Sequence, residues 1–188
     1  MRRRTWAARA AGIALVLVSA ASNAQAQVAR FSKIRDAVPL KYFDAALTKP
    51  DPSNPNRLII GFARGLDPLT FAPNDFRAWF GNRVAMDTIS FKVTAPAGFY
   101  VAKITYTQNG AVSLSRTLTT AGAATWVVNN TPANLGSFTN TPGLVGTADL
   151  TTLMLTSVPV SISESLFASV GAIMITDANV KVKLLPLP

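Results

Sequence analysis

Any chemistry in this chain must come from carboxylates, lysines, tyrosines and hydroxyls, because its 188 residues include no histidine and no cysteine. This composition excludes Ser-His-Asp and Cys-His nucleophilic sites and histidine general bases. It also excludes zinc sites built on histidine or cysteine, and there is no glycine-rich phosphate loop. The sequence therefore predicts a protein that is not an enzyme.

Carboxylates are the remaining source of acid–base chemistry. Glu164 is the only glutamate and is accompanied by eight aspartates. A glycoside hydrolase places two carboxyl groups around the scissile bond, and Glu164 with Asp177 or Asp149 would supply such a pair. Glu164 also stands between two serines after an apolar run, so a solvated loop acid is the simpler interpretation. A carboxylate-dependent glycan hydrolase or lyase is accordingly an alternative function.

Aromatic residues with polar neighbours are candidates for stacking on a sugar ring. Trp126 precedes two valines and then Asn129 and Asn130, whose amides can hydrogen-bond sugar hydroxyls. Trp79 and Tyr100 are further candidates, and these five residues form the predicted ligand-binding set. The alternative is that large aromatics on strands pack in the core.

Side-chain oxygens of the kind that calcium prefers are clustered at Asp51, Asn54 and Asn56. Prolines at 50, 52 and 55 interrupt this segment, and it does not have the spacing of an EF-hand loop. The segment therefore predicts either a calcium site or an Asx turn in a stiff linker. No other cofactor is expected.

The first 26 residues have the pattern of an export signal. Arginines at 2, 3, 4 and 9 precede an apolar stretch over 10–21, and Ala24-Gln25-Ala26 fits a signal peptidase site. The apolar stretch is about 12 residues, whereas a membrane span needs roughly 20. Cleavage after Ala26 would leave 188 − 26 = 162 residues, in the periplasm or secreted, without a membrane span.

The remaining charge is basic and uneven. Four of the 18 basic residues lie in the signal, which leaves 14 against 9 acidic residues, and ten of those 14 precede residue 95. Such a bias favours an acidic polysaccharide or another anionic surface as partner, although it is also typical of ordinary solubilising charge. Nucleic acid is not expected, because no dense Lys/Arg cluster is present.

Most of the mature chain alternates with the period of a β-strand. Ile89, Phe91 and Val93 alternate with Thr88, Ser90 and Lys92, which predicts a half-buried strand. Asn109-Gly110 predicts a hairpin after the next strand, and Asp177-Ala178-Asn179 predicts a turn. Residues 129–146 read as a loop.

Two short helical segments are also predicted. Leu40, Phe43 and Leu47 would share one face of a helix over 38–47, and residues 74–81 fit a single helical turn.

These elements predict an all-β fold: an antiparallel β-sandwich, jelly-roll-like, of about eight to ten strands with a short helical lead-in. The predicted organisation is a signal peptide over 1–26, a lead-in and Pro-rich linker over 27–56, and the sandwich over 57–188. Because no cysteine is present, the fold must depend on its apolar core.

One strand–turn–strand unit, Asp87–Tyr100 continuing through Ile104–Gly110, resembles units of secreted bacterial β-sandwich proteins. These include PEP-CTERM-bearing exported proteins and their untagged relatives. The chain lacks the hydrophobic sorting tail of the tagged members, since 180–188 is short and ends in prolines. The resemblance implies an extracytoplasmic sandwich and carries over no catalytic residue.

The leading hypothesis is a non-enzymatic exported binding or surface-matrix module, with polysaccharide as the suggested ligand. A second hypothesis is an assembly protein that polymerises through strand edges, because the apolar segment 149–160 would be suited to pairing with another copy.

Overall fold

The computed structural model describes residues 27–37, 42–62, 76–79, 84–113, 120–139, 143–168 and 172–188. The predicted signal peptide lies outside them. Eleven strands run through the described residues, and all of their pairings are antiparallel. They are β1 (Arg30–Asp36), β2 (Lys49–Asp51), β3 (Asn54–Ile59), β4 (Phe76–Trp79), β5 (Val84–Thr94), β6 (Phe99–Ser113), β7 (Thr120–Val128), β8 (Thr131–Thr139), β9 (Leu144–Asp149), β10 (Ser157–Ala168) and β11 (Ala172–Pro186).

The strands form two sheets, ordered β1-β5-β10-β7-β8 and β2-β3-β11-β6-β9, with β4 paired to β11. Eight of them, β3 and β5 to β11, have the order of a jelly roll. Numbered one to eight along the chain, they run 1-8-3-6 in one sheet and 2-7-4-5 in the other. The predicted jelly-roll sandwich is thereby confirmed.

Period-two alternation positions the side chains as predicted on β5. Ile89, Phe91 and Val93 are buried between the sheets, whereas Ser90 and Lys92 lie on the outer face. The same alternation on β10 buries Val158, Val160 and Ile162 and places Pro159 and Ser161 on the outer face. The inner faces of both sheets form one continuous hydrophobic core, which is what a fold without disulfides requires.

The predicted hairpin at Asn109-Gly110 is wrong. Strand β6 runs through both residues without turning, and it pairs with β11 over nearly its full length. A bulge in β11 between Ile175 and Asp177 accommodates this part of the ladder. Long-range pairing overrides the local turn preference here, and the predicted turn at 177–179 likewise lies inside β11.

Neither predicted helix is present among the described residues. Within 38–47, residues 42–47 form a bend, an isolated bridge from Phe43 to Phe62 and one turn; residues 38–41 lie outside the description. The Asp44 side chain accepts hydrogen bonds from the N–H groups of Ala46 and Leu47, so an Asx turn replaces a helix.

Within 74–81, residues 76–79 form β4, because they pair with β11. The described residues contain no α-helix, and hence none long and apolar enough to cross a bilayer.

The segment predicted as a lead-in and linker contributes strands to both sheets. Strand β1 pairs with β5, whereas β3 pairs with β11 in the other sheet and β2 pairs with β3 at its edge. The predicted loop over 129–146 likewise contains β8 and the first half of β9. The partners of β1, β3 and β9 are distant along the chain, whereas β2 pairs with the following strand and β8 with the preceding one.

Candidate functional site

Small hydroxyl side chains cover the middle of the outer face of the five-stranded sheet. Cross-strand pairs on β5 and β10 join Ser90 Oγ to Ser161 Oγ at 3.0 Å and Thr88 Oγ1 to Ser163 Oγ at 2.8 Å. These positions face outward because their neighbours on the same strands fill the core. Short side chains here leave space above the sheet.

A groove of about 530 Å³ lies over this face at the end where β1, β5, β10 and β7 come together. Its volume is within the ~300–1,000 Å³ that is typical of ligand sites. The lining residues are Lys33, Arg35, Ser90, Phe91, Lys92, Val127, Asn130, Ser157, Pro159, Val160 and Ser161.

Three cationic side chains line the groove, and none of the described residues that line it is acidic. Lys33 and Arg35 come from the edge strand β1, and Lys92 comes from the outer face of β5. Strand β1 is irregular at this point, with a register shift between Ser32 and Arg35 and a φ of 54° at Lys33. The left-handed conformation costs an L-residue roughly 1–2 kcal/mol, so the surrounding fold holds Lys33 in place.

A tight turn places Asn130 at the groove. Asn129 and Asn130 connect β7 to β8 with φ values of 49° and 63°, as in a type I′ hairpin. The Asn129 N–H donates to the Pro159 carbonyl at 2.9 Å, which fixes the turn against β10. Asn130, predicted as a ligand residue, therefore lies beside the three cations, whereas Asn129 supports it through its backbone.

The aromatic residues of the predicted set do not form a platform in the groove. Trp126 is 3% exposed and Tyr100 is 6% exposed, and both belong to the buried interior. Trp126 packs in the hydrophobic core, as the core-packing alternative predicts, because it alternates with outward-facing Val127. Tyr100 is buried as well, so neither side chain is open to a ligand as predicted. The backbone of Trp79 pairs with Ala172; its side chain lies outside the described part of the structure.

The oxygens predicted to bind calcium are engaged in local hydrogen bonds. Asp51 accepts from the N–H and the hydroxyl of Ser53, and its other oxygen lies 3.3 Å from the Arg57 guanidinium. Asn54 accepts from Asn56 N–H, and Asn56 accepts from Ala29 N–H. The two hydrogen bonds from Ser53, together with the charge of Arg57, lower the pKa of Asp51. This arrangement is that of the Asx-turn alternative, with a guanidinium beside the carboxylate.

Glu164 lies inside the sandwich, only 2% exposed, and not in a solvated loop. Its Oε1 is 2.8 Å from the Tyr106 hydroxyl on the opposite sheet. Its partner across the ladder to β5 is Asp87, whose oxygens accept from the N–H groups of Tyr42, Phe43 and Thr88. A polymeric substrate in solvent cannot reach a carboxyl buried in this way.

No family model matches the chain, and no curated protein matches its sequence. Among solved structures, the chain is similar to TmCBM61 in complex with β-1,4-galactotriose, at 9% identity and a TM-score of 0.32, over 85% of this chain and 93% of that one. It is also similar to an active-site mutant of a family two carbohydrate esterase from Clostridium thermocellum. That match has 14% identity and a TM-score of 0.24, over 76% of this chain and 33% of that one.

Sequence reasoning missed the cationic residues that make the groove. The only signal for Lys33, Arg35 and Lys92 was the excess of basic residues before residue 95. Their convergence depends on β1 pairing with β5 across more than fifty residues of chain. The outward position of Ser90 and Lys92, in contrast, follows from alternation alone.

Proposed function

We propose that this protein is an exported, non-enzymatic β-sandwich that binds an acidic polysaccharide along the outer face of its five-stranded sheet. The observation that carries the proposal is the groove of about 530 Å³, in which three cations stand among hydroxyl and amide groups. The proposed ligand follows from this chemistry and does not depend on Trp126 or Tyr100.

The charges favour an anionic ligand. Positive side chains that share one concave surface raise the local concentration of anions and speed their association. Arg35 presents a planar guanidinium that can pair with a carboxylate or sulfate through two parallel hydrogen bonds. Lys33 and Lys92 add point charges on long side chains, which suits a repeating polymer more than one fixed small molecule.

The hydroxyl and amide groups suit a saccharide. Ser90, Ser157 and Ser161 can each donate and accept, as sugar hydroxyls also do, and Asn130 offers both functions in one side chain. Val127 is 38% exposed on the same face and provides an apolar surface for the C–H side of a sugar ring.

Polymerisation through strand edges receives little support from the described strands. Only the last four residues of the segment predicted for edge pairing, 149–160, lie in β10, where they pair with β5. Asp149 ends β9, and residues 151–153 form a short 3-10 turn, so this segment is not one continuous free strand. Strand β2 has only three residues and includes a proline, and β1 is bulged. Leu135 of β8 packs onto Gly146 of β9, so those two edges lie against each other. Natural sheets protect their edges in these ways.

The test is binding of alginate, a polyuronate, with dextran as a neutral comparison. In the double variant Arg35→Gln/Lys92→Gln, we expect alginate affinity to fall about 5–30-fold, equivalent to ~1–2 kcal/mol. Added salt should weaken wild-type binding more than variant binding, because fewer charges remain to be screened.

The matched control is Lys181→Gln/Lys183→Gln, which removes the same charge from two exposed residues of β11 in the other sheet. It should bind alginate like the wild type. Equal losses of alginate affinity in both double variants would show that net charge alone explains the binding. Equal binding of alginate and dextran would contradict an anionic ligand.

A further inference from the structure

Three polar side chains meet in the apolar interior between the two sheets. Tyr106 and Gln108 are inward-facing residues of β6, and Glu164 is an inward-facing residue of β10; each is at most 2% exposed. The Tyr106 Oη lies 2.8 Å from Gln108 Oε1 and 2.8 Å from Glu164 Oε1. The second oxygen of Glu164 is buried and has no hydrogen-bond partner among the described residues.

The number of protons in this cluster constrains the state of Glu164. A phenol carries one proton, so Tyr106 can donate to only one of the two oxygens beside it. In the other short contact, the proton must come from the partner of the phenol. An amide oxygen carries no proton, whereas a carboxylic acid carries one. With Gln108 presenting Oε1 to the phenol, neutral Glu164 donating to Tyr106 and Tyr106 donating to Gln108 satisfy both contacts.

The unpartnered Oε2 supports the same assignment. A neutral carbonyl oxygen without a partner costs about 1–3 kcal/mol when buried, whereas an isolated buried carboxylate costs far more. Burial raises the pKa of Glu164 from its ordinary value of 4.5 to about 8. Burial is also the largest cause of the raised pKa of Tyr106, and the neighbouring Glu164 raises it further. The phenol therefore keeps its proton.

No described cation is bonded to the cluster. On β5 the residue across from Glu164 is Asp87, which accepts three N–H hydrogen bonds, and on β7 it is Ala124. Asp177 of β11 acts on Tyr106 as a further negative charge. Tyr42 contacts Asp87 through its backbone, and β4, which carries Arg77, lies beside β10.

We propose that Glu164 is a proton-dependent link between the sheets: as a neutral acid it joins β10 to β6 through Tyr106, and loss of its proton under alkaline conditions loosens the sandwich. Deprotonation leaves two acceptors for one phenolic proton and places a charge in the core. The ligand groove plays no part in this proposal.

The direction of the pH effect follows from linkage. Between the ordinary value of 4.5 and the folded value of about 8, the folded state keeps the Glu164 proton and the unfolded state releases it. Rising pH therefore favours unfolding in this window. The unfolded-to-folded ratio should increase by up to about tenfold per pH unit from this residue.

The direct test uses the fact that Glu164 is the only glutamate in the chain. Protein labelled with ¹³Cδ-glutamate gives one side-chain carboxyl resonance, which can be followed by NMR from pH 4 to 9. We expect a midpoint near 8 in the folded protein and near 4.5 in urea. A folded-state midpoint near 4.5, or an ionised signal at pH 6, would overturn the proposal.

Urea unfolding at several pH values gives an independent test. Glu164→Gln should remove the loss of stability between pH 5.5 and 8 that the wild type shows. Asp149→Asn is the matched control, because Asp149 is exposed and hydrogen bonds from Thr151 lower its pKa, so it should keep the wild-type slope. If Glu164→Gln does not fold, the pH titration of the wild-type carboxyl resonance decides the question. A folded Glu164→Gln variant whose stability falls with pH as steeply as that of the wild type would refute the link.

Discussion

Replacing Trp126 by alanine tests whether its indole packs in the core or serves as a platform for a ligand. The indole is 3% exposed, and β10 and β8 flank it at Ile162 and Ala133. An aromatic side chain buries roughly 150–250 Å², which at about 25 cal/mol/Å² corresponds to ~4–6 kcal/mol. Alanine keeps the β-carbon but leaves a cavity, so we expect Trp126→Ala to cost about 3–5 kcal/mol.

The assay is urea unfolding followed by far-ultraviolet circular dichroism, since removing an indole would disturb a fluorescence signal. Val127→Ala is the matched control, because Val127 is the next residue along β7 and its side chain is 38% exposed. It should change the free energy of unfolding by less than about 1 kcal/mol. A Trp126→Ala variant with unchanged stability and lost alginate binding would refute the core assignment.

Substitutions at two further positions test how local segments are held. Gly61→Ala should destabilise the protein by about 1–3 kcal/mol in urea unfolding, because a β-carbon there would lie 2.6 Å from the Leu47 carbonyl carbon and 2.8 Å from the Thr48 nitrogen; an unchanged midpoint would contradict this packing. Asn129→Ala should cost about 1–2 kcal/mol by the same assay and Asn129→Gly much less, because the residue has a φ of 49°. Equal effects of the two replacements would argue against a left-handed turn.

The sandwich was predictable because its long strands alternate apolar and polar residues within their own sequence. Thr88 to Thr94 alternates strictly, and the structure buries the residues that the pattern assigns to the core. The same rule should have placed Trp126 correctly. Trp126 and Val128 are buried, and Val127 between them is outward, so assigning the larger side chain to the core would have left Val127 and Asn130 for the ligand face.

The rest depended on pairings that local sequence does not encode. Asn109-Gly110 has strong turn propensity, yet the ladder to β11 is long enough to keep it extended. Glu164 was interpreted as a loop acid because the apolar run before it was taken to end at Ser163, whereas β10 continues to Ala168 and its alternation places Glu164 on the inner face. Its burial becomes interpretable only when Tyr106, fifty-eight positions away, is seen 2.8 Å from its carboxyl.

The most direct measurement of the central claim is an amide NMR titration of the protein with alginate oligosaccharides. We predict that shift changes concentrate on the outer face of the five-stranded sheet, at Arg35, Ser90, Lys92, Asn130 and Ser161. The exposed face at Lys181 and Lys183 should remain unchanged. Shift changes on that opposite face, or none at saturating oligosaccharide, would contradict the assignment of the groove as the binding site.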